Sequence, residues 1–136
     1  MKVSKPVRII GWVFLSLAAF WIWYMVAADY SYSAVAGTYI FQANGEKSTL
    51  ILRKDQSFQQ VLTRQGKVER TQGSWRLIGE GGVVFSKEFL PIGNVQVSSD
   101  GSTYGVVQKY FFELIPSIVL GENRDHGPVF HIQLFR

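Results

Sequence analysis

Two histidines, His126 and His131, are the only imidazoles in this 136-residue chain. They stand with the carboxylates of Glu122 and Asp125 in the run Glu122-Asn123-Arg124-Asp125-His126, followed by His131 on the far side of Gly127. Imidazole and carboxylate together are zinc-type donors. The spacing matches no defined ligand set, Arg124 brings a positive charge among the donors, and His131 lies between Phe130 and Ile132 in a strand-like run. The group reads as a polar turn plus a strand histidine, and no metal or other cofactor is expected. Gly101-Ser102-Thr103-Tyr104-Gly105 has the outline of a nucleophile elbow. Its centre is Thr103 rather than serine, and it reads as a turn with no strand–helix context. Gly79 to Gly82 encloses Glu80 and reads as a hairpin turn rather than a phosphate loop. There is no P-loop, no GxGxxG and no Ser-x-x-Lys. Cysteine is absent, which removes disulfides, thiolate metal sites, cysteine nucleophiles and acylated cysteine. No catalytic residue is nominated, and the chain is read as a non-enzyme.

The remaining side chains of interest are aromatic, and they depend on the elements that carry them. After residue 36 the chain breaks into short β-like runs. They cover 37–43, 48–54, 57–64, 67–78, 82–88, 94–98, 105–114, 117–120 and 128–135. Asn44-Gly45, Gln65-Gly66, Asp100-Gly101, Pro116 and similar breakers separate them. Eight or nine short strands at this spacing predict an all-β fold, a small antiparallel barrel or sandwich. Along 67–78 Val68, Arg70, Gln72, Ser74 and Arg76 share one mostly polar face and Gly73, Trp75 and Leu77 the other, so Trp75 and Leu77 should face the core. Val106, Tyr110 and Phe112 should share one face, as should Phe130, Ile132 and Leu134. An apolar ligand in the mouth of such a barrel would meet Phe58, Trp75, Tyr110 and Phe112. With about 100 residues after the linker, side chains are expected to fill the interior.

The N-terminal part has a different character. Ile9 to Ala28 is 20 residues without a charge, and as a helix it is about 30 Å long, enough to cross a bilayer's hydrocarbon core. Trp12 lies near one end of it, and Trp21, Trp23 and Tyr24 cluster near the other, as interfacial aromatics do. Pro6 precedes it. The run exceeds the about 7–15 apolar residues of a signal-peptide core. It therefore reads as a retained anchor, although small residues at Val26-Ala27-Ala28 and Ala34-Val35-Ala36 would suit cleavage. It carries no Asp, Glu, Lys, Arg or His and no small-xxx-small pair. The organisation expected is a basic tail over 1–8, a transmembrane helix over 9–28, a linker over 29–36 and a β-domain over 37–136. Lys2, Lys5 and Arg8 precede the span and Asp29 follows it, so the positive-inside rule places the N-terminus in the cytoplasm and the domain outside.

The formal charge of +4 therefore has a topological meaning. Three of its charges sit in the first eight residues, and the rest of the chain is nearly neutral. Nucleic acid is not an expected partner. Within the domain, residues 37–76 carry seven basic and three acidic side chains, and residues 77–136 four and six. Arg70 and Arg76 should point outward together, toward anionic headgroups, an acidic partner or solvent.

Gly37-Thr38-Tyr39, Ser48-Thr49-Leu50-Ile51-Leu52, Asp55-Gln56-Ser57-Phe58, Gly73-Ser74-Trp75 and Val83-Val84-Phe85 follow one another in that order. Over residues 37–86 this resembles the small lipocalin-like barrels of bacterial envelope proteins. The resemblance implies a small barrel of the bacterial envelope; in a bacterium the charge-derived topology puts that barrel on the periplasmic side, anchored in the inner membrane. Stress-sensing envelope lipoproteins with this pattern carry a cysteine pair near the first strand. This chain has none, so no metal- or redox-sensing role is implied. The expected function is that of a single-pass, membrane-anchored, non-catalytic module working through protein partners, as an accessory or assembly subunit. The alternative is a lipocalin-like binder of a small apolar ligand or lipid.

Overall fold

A computed structural model describes residues 5–93, 95, 97–110, 115–121 and 127–134. The first element, α1 (Lys5–Ala27), is a 23-residue helix with Pro6 in its first turn, where a missing N–H costs nothing. Its stretch Val7–Ala27 is long and apolar enough to cross a membrane, and it is exposed along nearly all its length, with only Ala27 at its end buried. A signal sequence has the same properties. The helix closes with Ala28 N–H on Tyr24 O at 2.9 Å. The Asp29 carboxylate then accepts from Ser31 N–H at 2.9 Å. Ser31 in turn caps a one-turn helix, α2 (Tyr32–Val35). The segment expected as a linker is thus part of the folded body: Val35 is fully buried, and Tyr32 packs on the core.

Eight strands follow: β1 (Gly37–Ala43), β2 (Glu46–Leu52), β3 (Ser57–Arg64), β4 (Lys67–Ile78), β5 (Gly82–Phe85), β6 (Thr103–Tyr110), β7 (Ile115–Leu120) and β8 (Val129–Ile132). Each pairs antiparallel with the next, and β8 pairs with β1, closing an all-β barrel. The β1–β2 and β3–β4 hairpins turn through Asn44-Gly45 and Gln65-Gly66. All four residues have positive φ, the twist that suits a two-residue hairpin. Inward side chains alternate on β2 and β3, where Ser48, Leu50 and Leu52 and then Phe58, Gln60 and Leu62 are buried. Trp75 is buried, and Leu77 packs partly buried beside the core.

Several boundaries differ from the sequence reading. Of the run expected over 94–98, residues 95, 97 and 98 are described; none of these three belongs to a strand, and Val97 makes a single bridge, to Thr103. Thr103 is buried and opens β6, so the Gly101–Gly105 run is a strand start rather than a turn alone. On β6 the buried positions are Thr103, Gly105 and Val107, so Val106 stands on the opposite face from the core. Pro116 lies inside β7, not between strands. Gly121 N–H bonds Tyr104 O, so by alternation the Pro116 nitrogen faces away from β6. Pairing with β8 begins only at Ser117, so no ladder bond is lost there.

The barrel is closed by all eight strands only in its lower half. β4 pairs with β5 from Trp75 to Ile78, but with β3 from Ser74 up to Lys67. Above Phe85 the chain leaves the wall and turns inward. Phe89 N–H bonds Ser86 O, and Phe89 and Ile92 are buried inside the barrel. Residues 86–93 thus form a plug whose Phe89 and Ile92 are buried while Lys87, Glu88 and Pro91 stay exposed, and this is why β5 stops three residues short of the expected 88.

Candidate functional site

Of the four aromatics that the sequence nominates for a ligand, the structure places two in the interior. Phe58 is fully buried, edge-on to Phe85 at 5.7 Å and to Phe89 at 5.9 Å between ring centroids. Phe89 stacks on Phe85 at 4.6 Å, so the plug supplies the ring that a ligand would otherwise supply. Gly73 makes this possible: a Cβ there would lie 2.8 Å from the Phe58 ring and 2.5 Å from Ser86 Oγ. Trp75 donates its indole N–H to Arg53 O at 3.0 Å and meets Tyr32 of α2 edge-on at 5.0 Å. Phe58 and Trp75 therefore belong to one packed core, closed by residues 86–93 at one end and by α2 at the other. Tyr110 ends β6 opposite Ile115; its side chain, and Phe112 altogether, lie outside the described residues.

The plug is held by polar contacts from β2, β3 and β4. Gln60 is fully buried and clamps the backbone of Leu90. Leu90 N–H donates to Gln60 Oε1 at 2.8 Å, and Gln60 Nε2 donates to Leu90 O at 2.9 Å and to Ser48 Oγ at 3.1 Å. At the rim, Arg64 donates to Pro91 O at 2.7 Å, and Gly93 N–H donates to Glu46. Arg64 Nε also lies 2.7 Å from Glu46 Oε1, an ionic contact rather than an aligned hydrogen bond. Thr71 donates to Glu88 O at 2.9 Å. None of these residues was singled out from sequence. One signal was present: Gln60 occupies an inward register between Phe58 and Leu62, where an amide needs a partner.

A second constellation joins helix and barrel. Lys109 of β6 donates from Nζ to Val26 O, Ala27 O and Asp29 O at 2.8, 2.9 and 2.5 Å. These are carbonyls at the C-terminal end of α1, where a cation also complements the helix dipole. The ammonium lies 4.5 Å from the centre of the Tyr30 ring as well. Asp29, held below the usual carboxylate range chiefly by its bond from the Ser31 N–H, keeps its negative charge at this joint. A shallow groove beside it is lined by Met25, Val26, Ala34 and Pro116.

His131 is exposed on β8, while Glu122, Asp125 and His126 lie outside the described residues. Among the described residues no group of three or more histidines and carboxylates is placed to hold a metal ion. Arg70 and Arg76 are both exposed on the outer face of β4, as their alternation implied. Comparison of the chain with protein-family models, curated proteins and solved structures returned no match.

Proposed function

We propose that this protein is a non-catalytic module held at a membrane by α1, working through protein contacts made by the outer surface of its barrel as an accessory or assembly subunit. The observation that carries this reading is the occupied interior. Phe89 and Ile92 of the chain's own plug fill the barrel around Phe58, and Gln60 locks the plug in place. The surface left for recognition is the outside. The largely exposed apolar helix supports membrane attachment, and the basic residues before it support a cytoplasmic N-terminus with the barrel on the far side. A bacterial inner membrane with a periplasmic barrel suits that topology. The lipocalin-like ligand reading has less support, since its two described residues, Phe58 and Trp75, are packed shut.

Purification of the full chain from its membrane in mild detergent, beside a control lacking residues 1–28, tests the proposal. The full chain is expected to elute with a stoichiometric partner. Recovery solely as a free monomer, or extraction of a bound lipid or apolar small molecule in stoichiometric amount, would overturn it.

A further inference from the structure

β4 has an edge that the barrel leaves unused. Trp75 N–H donates to Gln56 O at 2.9 Å, which makes that residue pair a bonded rung of the β3–β4 ladder. Bonded and non-bonded rungs alternate in an antiparallel pair, so Thr71 and Gly73 also turn their backbone groups toward β3. Val68, Arg70, Gln72 and Ser74 turn theirs the other way. Ser74 confirms the parity, because Ser86 N–H donates to Ser74 O at 2.9 Å and Ser74 N–H donates to Ser86 Oγ at 3.0 Å. Beyond Ser74 the neighbouring strand has gone, since the chain turns inward to form the plug. No described residue hydrogen-bonds the backbone of Val68, Arg70 or Gln72 along that edge, and all three residues are exposed. Three N–H and three C=O groups thus face outward over a length of about 17 Å.

Such an edge is a template for an added strand. Its charge selects the occupant. The outer face of β4 presents Val68, Arg70, Gln72, Ser74 and Arg76 without an acid, while Glu69, also exposed, lies on the opposite face. A strand laid against the edge would put one of its side chains about 5 Å from that of Arg70. A second copy pairing antiparallel about this segment would set Arg70 against Arg70, which like-charge repulsion opposes. From this we infer that the free edge of β4, from Val68 to Gln72, receives an extended acidic segment of a partner protein as an added β-strand. The inference rests on the contact-module reading above and gives it a surface and a mode of recognition.

The test uses the full chain in nanodiscs of neutral phosphatidylcholine and residue-resolved hydrogen exchange. The probe is a synthetic peptide of about eight residues, alternating Glu and Val, with a Lys–Val peptide as its counterpart. At millimolar concentration the acidic peptide is expected to slow exchange at Val68, Arg70 and Gln72 by about tenfold or more, and the basic one to leave it unchanged. Arg70→Pro removes an outward N–H while taking no bond from β3, and should abolish the protection. Arg70→Glu, which keeps the backbone intact, should transfer the preference to the basic peptide. No protection at these amides, equal protection by both peptides, or an Arg70→Glu variant that still prefers the acidic peptide would overturn the inference. A native complex that survives Arg70→Glu would also overturn it while leaving the contact-module reading standing. A wild-type chain found only as a monomer would sink that reading, and the peptide result would still decide the edge.

Discussion

Gln60→Met offers the sharpest probe of the plug. Methionine is close to glutamine in volume, so little cavity is created and the change is chiefly the loss of one amide. Three hydrogen bonds end with it: two to the backbone of Leu90, at 2.8 and 2.9 Å, and one to Ser48 Oγ. Leu90 N–H and C=O would both lose their partner beside a fully buried position. Each unpaired buried group costs about 1–3 kcal/mol, and relaxation toward solvent at the barrel mouth recovers part of this. A net loss of about 2–4 kcal/mol follows. For a domain of this size 1 kcal/mol corresponds to about 4–8 °C in Tm, so a fall of at least about 8 °C is expected by calorimetry. The way the loss is distributed is equally informative. If the plug is a separable unit, the Leu90 amide should exchange faster than the β2 and β3 amides, and an apolar dye should gain fluorescence on entering the vacated space around Phe58. A Tm within about 2 °C of wild type, with Leu90 exchange unchanged, would refute the idea that Gln60 holds the plug.

Trp75→Ala removes a fully buried indole and leaves Arg53 O without its donor; a loss of about 3–5 kcal/mol is expected in chemical denaturation, and an unchanged midpoint would sink the core assignment. Tyr39 is buried with its hydroxyl donating to Val35 O at 2.6 Å, and burial pushes its phenol well above the ordinary value. The folded state therefore holds a proton that the unfolded chain gives up near pH 10. The stability is complete below that pH and declines above it, by about 1.4 kcal/mol per pH unit at most. Denaturation between pH 9 and 11 should show the decline in wild type and a flatter profile in Tyr39→Phe; parallel profiles would contradict it. Lys109→Met should leave the barrel's Tm within about 2 °C while speeding amide exchange at Ala28 and Asp29, the last two hydrogen-bonded positions of α1. A fall of many degrees would instead make Lys109 part of the barrel's own stability.

The legible parts of the fold were those governed by local chemistry. Asn44-Gly45 and Gln65-Gly66 mark breaks between strands because glycine takes a positive φ without steric cost, and the alternation on β4 put Trp75 inward. The misread stretches depend on distant partners. Residues 94–98 alternate as a strand does, yet among the described residues of that stretch only Val97 forms a bridge, to Thr103. Pro116 breaks strands in general, but at this register its missing N–H faces an unpaired edge. Residues 86–93 contain nothing that says they go inside rather than along the wall. Only the barrel's volume, fixed by all eight strands together, makes Phe89 and Ile92 its filling. The candidate site was harder still, because Gln60 binds a backbone 30 residues away and Lys109 binds carbonyls more than 80 residues before it.

The Lys109 joint has a consequence for how this molecule would meet anything. Nine free residues between helix and barrel could have served as a tether with a reach of about 30 Å. Instead, residues 28–36 are folded against the barrel, and the ammonium grips the end of α1. With the helix seated in a bilayer, the barrel is a stiff extension of it, at a set height and a set tilt. Its encounters are then restricted to the layer just above the lipid, where a partner also confined to the membrane diffuses in two dimensions. The orientational entropy that a loosely tethered domain would lose on docking has already been given up in folding. The angle at which the open edge of β4 is presented is governed by how α1 rotates about its own axis. A substitution on the helix would thereby change the direction in which the barrel's outer surface is presented.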